Sequence, residues 1–194
     1  NIIGADSISF NTDIKISGGR IVDIGIFDEA GIDCSNKFIS PGFIDIHTHG
    51  GYGFDFMDST DEAFDSILRF QLDNGTTTVL PTSVTAPVAA IKKFIDTARK
   101  YKKKNPPFAK VFGVHLEGPY LSLKNRGAQK EEYILNPQKD DYSFITDNKD
   151  IVRTVTISPE LDVNGAMTKC LSENGIIVCG GHDNGIYPEF IPSI

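Results

Sequence analysis

The chain has 194 residues, of which 40% are hydrophobic and 23% charged, a composition typical of a globular protein with a substantial core. Its formal net charge of -7 argues against a nucleic-acid-binding protein, and no apolar run is long enough to predict a membrane span. The three cysteines, Cys34, Cys170 and Cys179, have no CxxC spacing, which predicts reduced thiols and a cytoplasmic protein.

Residues 1–40 carry the alternation of polar and apolar side chains that is typical of β-strands. The alternation covers residues 7–10, 13–16 and 20–24, and Gly18-Gly19 predicts a tight turn between the last two. Because strands need a partner sheet and this segment is short, we expect residues 1–40 to form part of a small β-domain, separate from residues 41–194.

From residue 41 onward, short apolar runs alternate with segments of helical periodicity. The predicted strands cover residues 43–47, 77–80, 110–114, 152–157 and 176–179. The predicted helices cover residues 61–73, 87–104 and 164–174, with a short helical piece near 141–147. Runs that are apolar on both faces predict an α/β fold with a parallel sheet covered by helices. Two architectures fit about five such strand–helix units: an open doubly wound sheet, or a partial (β/α)8 TIM barrel that stops after its fifth strand.

All four histidines, His47, His49, His115 and His182, fall at or just past the end of a predicted strand. In parallel α/β folds, ligands and catalytic groups gather at the carboxyl ends of the strands. His47 and His49 are two residues apart on a strand, so their imidazoles share one face and suit a divalent metal. The alternative is a pair of histidines that only make hydrogen bonds. Asp45 shares this face and is better explained as a structural or supporting group than as a ligand.

Glu117 and His182 follow two further predicted strands, and both have backbone neighbours that suit a positioned side chain. A Gly-Pro dipeptide fixes the backbone after Glu117, which favours a positioned carboxylate over a solvated one. A Gly-Gly dipeptide precedes His182 and allows the backbone to approach a ligand closely. We therefore predict that Glu117 and His182 complete a metal site, whereas ligation and a supporting role stay equally open for His115. Such a site predicts metal-assisted hydrolysis, with a carboxylate base to manage the proton.

Residues 40–50, Ser-Pro-Gly-Phe-Ile-Asp-Ile-His-Thr-His-Gly, resemble the first-strand signature of the amidohydrolase superfamily. Residues 18–24 resemble a segment of the small β-sandwich of that superfamily. The resemblance implies that residues 1–40 are part of a small β-sandwich domain and that residues 41–194 form a partial metal-dependent amidohydrolase barrel.

A narrower resemblance, which extends to about residue 185, is to the N-acetylglucosamine-6-phosphate deacetylases. It rests on six segments, at residues 75–82, 113–121, 126–129, 158–160, 175–178 and 181–184. The run His-Leu-Glu-Gly-Pro within the second segment is the most distinctive. The resemblance implies removal of acetyl from N-acetylglucosamine 6-phosphate to give glucosamine 6-phosphate and acetate. The alternatives are another amidohydrolase, such as a cyclic amidase or a deaminase, and an inactive chain with only a metal-binding or structural role.

The same resemblance implies roles for individual residues. Glu117 and His182 are implied metal ligands, and His47 and His49 hold a second metal in members that keep the pair. One or two divalent ions, zinc or iron, are implied. The small-molecule substrate is a sugar phosphate, which the family contacts at the position of Ala128. Gln129, the neighbouring substrate-loop residue, stands where many members carry His.

Other implied residues fall outside this sequence. The family takes a further metal-binding His from the sixth strand and its catalytic Asp from the eighth, and both are expected beyond Ile194. Residues 186–194 do not resemble the helix expected after the fifth strand. Since five strands cannot close an eight-stranded barrel, we expect the 194-residue chain to expose apolar sheet edges and to be inactive alone. A homodimer is expected for a full-length protein, as is common in the family.

Overall fold

The computed structural model describes residues 1–186, and these form two compact units that meet in sequence between Gly42 and Phe43. The division lies two residues from the boundary expected from the sequence. The predicted departure from the family pattern covers residues 186–194, of which residues 187–194, with Tyr187-Pro188 and Ile191-Pro192, lie outside the described residues.

The first unit is built from two antiparallel strand pairs. Strands β1 (Ile2–Ile3) and β2 (Ile8–Ser9) form one pair, and β3 (Asp13–Ser17) and β4 (Arg20–Gly25) form a hairpin. The two hairpin loop residues, Gly18 and Gly19, have φ angles of 56° and 73°, the left-handed conformation that this kind of turn requires. The β structure predicted for this segment is present, while its membership of a sandwich stays a prediction.

The second unit alternates strands and helices as the sequence predicts. Its elements in chain order are β5 (Phe43–Thr48), β6 (Gly50–Gly51), β7 (Phe54–Asp55), α1 (Asp61–Asp73), β8 (Thr76–Ser83), α2 (Val88–Lys104), β9 (Lys110–Val111), β10 (Val114–Glu117), α3 (Ser143–Thr146), β11 (Val152–Ile157), α4 (Ala166–Glu173) and β12 (Ile177–Gly180). Single turns of 3-10 helix lie at Phe56–Asp58, Glu131–Tyr133, Pro159–Leu161 and Val163–Gly165.

The main sheet has the strand order β12-β11-β10-β8-β5, and neighbouring strands run parallel. Short β9 also pairs with β8. The spatial order follows the chain order without reversal, whereas a doubly wound sheet reverses its order at a switch point. The described strands therefore form part of a (β/α) barrel, and the doubly wound alternative is wrong.

Helix α1 shows how local sequence sets these elements. The Thr60 side chain accepts a hydrogen bond from the backbone N–H of Ala63 at 3.2 Å, which caps the first turn. Phe64, Ile67 and Leu68 then lie on one buried face at helical spacing. The helix has the bounds that the sequence predicts, and so does β11, a run of mostly β-branched residues.

The third predicted strand is the least accurate, because the structure breaks it into β9 and β10. A Cβ atom on Gly113 would lie 2.6 Å from the carbonyl oxygen of Ile151, so only glycine fits this close approach of the two backbones. The register with β11 shifts between Val114 and His115. The strand then continues to Glu117, so His115 lies inside the strand rather than after it.

The core lies between the central strands and the helices, and the outer strands leave apolar side chains in solvent. Phe43, Ile44 and Ile46 of β5 are 71%, 68% and 64% exposed, and Ile177 of β12 is 63% exposed. The expectation of exposed apolar edges is therefore confirmed for the described strands. Among residues 1–186, no helix combines the length and apolar character that crossing a bilayer demands.

Candidate metal centre

The three predicted ligand segments meet at the carboxyl end of the barrel sheet. His47 is the fifth of six residues of β5, Glu117 is the last residue of β10, and His182 lies two residues past the end of β12. The structure brings all four predicted ligands together, because Glu117 contacts His47, His49 and His182.

The His47–His49 pair adopts the arrangement that its spacing predicts. The Nε2 atoms of the two rings are 3.2 Å apart, and the rings pack edge to face. Asp45 accepts a hydrogen bond from the backbone N–H of His47 at 3.0 Å, and Gln71 of α1 contacts both Asp45 and Thr48. Asp45 therefore fixes the strand that carries the pair, as the sequence suggests.

Glu117 is the centre of the cluster, and its side chain is 10% exposed. Oε1 lies 3.1 Å from Nε2 of His182 and 3.5 Å from Nε2 of His47. Oε2 lies 3.3 Å from Nε2 of His49 and 2.7 Å from the side-chain nitrogen of Gln129. The donor atoms of His47, His49 and Glu117 all lie within 4.8 Å of one another, so this group could hold a metal ion, and His182 joins it through Glu117.

The tautomers of two rings fit a metal. Nδ1 of His49 lies 3.2 Å from the carbonyl oxygen of Thr82, and Nδ1 of His182 lies 3.0 Å from that of Asn125. Since a carbonyl only accepts, each Nδ1 carries a proton, which leaves Nε2 as the atom that faces the Glu117 carboxylate. Favourable contact then needs positive charge between Nε2 and the carboxylate: either a proton on Nε2, which donates to Glu117, or a metal ion in its place. The donor set is therefore that of a cation site in which carbonyl groups fix the imidazoles.

The pKa values describe the same preference. Burial acts to raise the pKa of Glu117, but hydrogen bonds to His49 and His182 and the charge of the imidazoles outweigh it and hold the pKa at about 2. The hydrogen bond to Glu117 raises the pKa of His49 in spite of burial. The cluster thus stabilises a charged carboxylate beside positive charge.

His115 supports the site and has no ring nitrogen left for a metal. Its Nδ1–H donates to the carbonyl of Ile46 at 3.1 Å, so its Nε2 accepts from the Thr156 hydroxyl at 2.7 Å. Burial lowers the pKa of His115, which keeps the ring neutral. Of the two roles open from the sequence, the geometry favours the supporting one.

The substrate-loop residues have different environments. Ala128 is exposed, and a Cβ on the preceding Gly127 would lie 3.6 Å from Cε1 of His182, so the loop runs beside the cluster. Gln129 is 8% exposed and donates to Glu117, a contact that the sequence does not predict.

Sequence reasoning also missed Ser158, which is fully buried. Its hydroxyl donates to the carbonyl of His182 at 2.8 Å and accepts from the N–H of Ser122 at 2.7 Å. His182 has a φ of 52°, uncommon for a residue other than glycine, and this hydrogen bond helps to hold it. The Ser158-Pro159-Glu160 segment was visible as part of the resemblance, but nothing in it indicated this role.

A parallel barrel sheet with imidazoles and a carboxylate at its carboxyl end defines the class of α/β barrels with a candidate metal site. The model of the amidohydrolase family matches residues 38–180. The chain belongs to the amidohydrolase family, whose members are typically metal-dependent.

Individual relatives agree with this assignment. The human N-acetylglucosamine-6-phosphate deacetylase is 33% identical over 183 residues, which cover 88% of this chain and 44% of that protein. The Lysinibacillus sphaericus protein of the same name is 30% identical over 199 residues, which cover 97% of this chain and 50% of that one. The chain thus spans about half the length of the curated relatives that it matches.

Solved structures give the same picture. The crystal structure of N-acetylglucosamine-6-phosphate deacetylase from Pasteurella multocida superposes with a TM-score of 0.83 at 28% identity, over 97% of this chain and 50% of that one. A mutant of the Mycobacterium smegmatis deacetylase, in complex with N-acetyl-D-glucosamine-6-phosphate, gives a TM-score of 0.78 at 27% identity, over 94% and 48%.

Proposed function

We propose that this chain provides part of the active site of a metal-dependent deacetylase that hydrolyses N-acetylglucosamine 6-phosphate to glucosamine 6-phosphate and acetate. The observation that carries the proposal is the convergence of the imidazoles of His47, His49 and His182 on the buried carboxylate of Glu117. The names of the relatives, and the substrate bound to the Mycobacterium smegmatis protein, support the choice of substrate.

His47, His49, Glu117 and His182 would hold the metal, as one or two ions, with zinc or iron as the preferred candidates. Imidazole and carboxylate ligands suit both metals. A divalent ion bound there would supply Lewis acidity, which polarises an amide carbonyl and makes water more acidic. One carboxylate oxygen of Glu117 faces His182 and the other faces His49. Glu117 could therefore bind a metal ion together with His182 or together with the His47–His49 pair.

The chain's own residues would orient the ligands and bind part of the substrate. Carbonyl groups of Thr82 and Asn125 hold the His49 and His182 rings with Nε2 turned inward. Ala128 would contact the sugar phosphate, because it is exposed on the loop that passes His182. A catalytic Asp, a homodimeric assembly and a cytoplasmic location belong to the same proposal for the whole protein.

The test is acetate release from N-acetylglucosamine 6-phosphate by the full gene product that carries this sequence. We expect Glu117→Ala to lose bound metal and activity together, and Glu173→Ala, an exposed position at the end of α4, to lose neither. Full activity in a metal-free Glu117→Ala protein would contradict the proposal. A panel with a cyclic amide and an amino-substituted base separates the other amidohydrolase activities, since turnover of those alone assigns a different enzyme.

A further inference from the structure

Gln129 is a buried polar side chain whose amide bridges two other segments of the barrel. Its Nε2 lies 2.7 Å from Oε2 of Glu117, and its Oε1 lies 2.7 Å from the backbone nitrogen of Thr85. Only 8% of Gln129 is exposed. Both short hydrogen bonds are therefore shielded from water, which strengthens them.

The orientation of this amide has only one solution. A backbone N–H can only donate, so the Gln129 oxygen must face Thr85. An ionised carboxylate can only accept, so the Gln129 NH2 group must face Glu117. The side chain therefore has a fixed polarity, with the donor end directed at the proposed metal ligand.

The backbone that carries Gln129 is itself held in place. The N–H of Gln129 donates to the carbonyl of Arg126 at 3.1 Å, and Gly127 inside this turn has a φ of 59°. On the other side, the Thr85 hydroxyl lies 3.5 Å from the carbonyl of Glu117. The turn at residues 126–129 and the segment just after β8 thus hold Glu117 from two directions.

We propose that Gln129 is a positioning residue for Glu117: its amide holds Oε2 towards His49 and so leaves Oε1 turned towards His182. This inference rests on the metal centre of the proposed function and adds a residue to it. A carboxylate held in its binding orientation loses less freedom when an ion binds, so the expected consequence is tighter metal binding. Sequence resemblance instead suggested contact with the substrate.

The experiment is a zinc-affinity measurement, by competition with a chromophoric chelator, on the full gene product and three variants. Gln129→Met keeps the length of the side chain without a donor, and we expect it to bind zinc roughly 10- to 100-fold more weakly. Gln129→His keeps an N–H donor in a different shape, and we expect zinc affinity within about threefold of the wild type. Gln138→Met makes the matched change at an exposed glutamine elsewhere in the chain and should leave affinity unaltered.

The possible outcomes distinguish a positioning role for Gln129 from the alternative explanations. Wild-type affinity in Gln129→Met overturns the inference, and so does a raised KM at unchanged zinc affinity, which would assign Gln129 to the substrate. Equal losses in the Met and His variants also overturn it, because they would show that side-chain shape, not donation, is what matters. A wild-type protein that retains no divalent metal overturns the proposed metal centre as well, which distinguishes that failure from failure at Gln129 alone.

Discussion

Gly118 directly follows Glu117, and replacing it with alanine should destabilise the protein in two ways, by backbone strain and by steric overlap. A control glycine separates these two effects. Its φ is 78°, a conformation that an L side chain rarely adopts. A Cβ atom would also lie 2.3 Å from the Thr85 hydroxyl oxygen and 3.0 Å from Cδ1 of Leu121. The control is Gly175, which has a φ of 75° with nothing within 4 Å of an added Cβ.

The magnitudes follow from this comparison. The left-handed backbone costs an alanine about 1–2 kcal/mol at either glycine. At Gly118 the contact with Thr85 adds an overpacking cost of about 1–3 kcal/mol. We therefore expect Gly118→Ala to lower the free energy of unfolding by about 2–5 kcal/mol, against about 1–2 kcal/mol for Gly175→Ala. Alanine also lowers the conformational entropy of the unfolded chain, which stabilises both variants by a similar amount. This contribution therefore cancels in the comparison between them.

The assay is urea denaturation of the metal-free gene product. The unfolding free energy must fall with urea concentration at the same slope in both variants, so that the difference reports stability alone. A second measurement, zinc affinity, should fall only in Gly118→Ala, because displacement of Thr85 disturbs the amide that holds Gln129. Equal destabilisation in the two variants would refute the reasoning, since it would show that the close approach to Thr85 carries no cost.

Three further predictions test other parts of the site. Because the pKa of Glu117 is about 2 in the folded chain and 4.5 as its ordinary value, its stabilising contribution is complete above pH 4.5 and is lost as the pH falls towards 2. Acid titration of the metal-free protein should therefore show a loss of up to about 3 kcal/mol that is missing in Glu117→Gln. Ser158→Ala leaves the buried Ser122 N–H without its acceptor, so urea denaturation should show a loss of about 1–3 kcal/mol in the free energy of unfolding. The same change removes the hydrogen bond to the His182 carbonyl, so zinc affinity should fall roughly tenfold. Asp162→Ala removes the carboxylate that accepts two backbone N–H groups in the first turn of α4, which should cost about 1–2 kcal/mol in the same assay and leave zinc affinity unchanged.

Local sequence was sufficient where an element depends on its own residues. Helix α1 has the predicted bounds because Thr60 caps it and its apolar spacing matches a helix. Strand β11 has the predicted bounds because its β-branched run is buried on both faces. The break between β9 and β10 was not predictable, since it arises where Gly113 approaches a carbonyl from another part of the chain.

In the site, too, some features could be predicted from local sequence and others depend on distant residues. The His47–His49 spacing alone places both imidazoles on one face, and the structure has them there. The role of His115 depends on Ile46 and Thr156, which lie 69 and 41 residues away in sequence, so its tautomer could not be read from its neighbours. Gln129 reaches Glu117 because the turn at residues 126–129 places it there and Thr85 binds the other end of its amide. These are tertiary contacts, which the periodicity of the sequence does not predict.

The strand order separated two folds that the sequence left open. Apolar runs on both faces suit a doubly wound sheet and a barrel equally well, because both bury a parallel sheet under helices. The succession of β5, β8, β10, β11 and β12 without reversal decides for the barrel. Pairing partners are a tertiary property, so composition and periodicity could not supply them.

The most direct test of the proposed metal centre is anomalous diffraction from crystals of the gene product loaded with zinc. The account predicts anomalous density about 2.0–2.2 Å from a carboxylate oxygen of Glu117 and from Nε2 of His182 or of the His47–His49 pair. Zinc bound elsewhere, with Glu117 and these imidazoles not coordinated to it, would contradict the account.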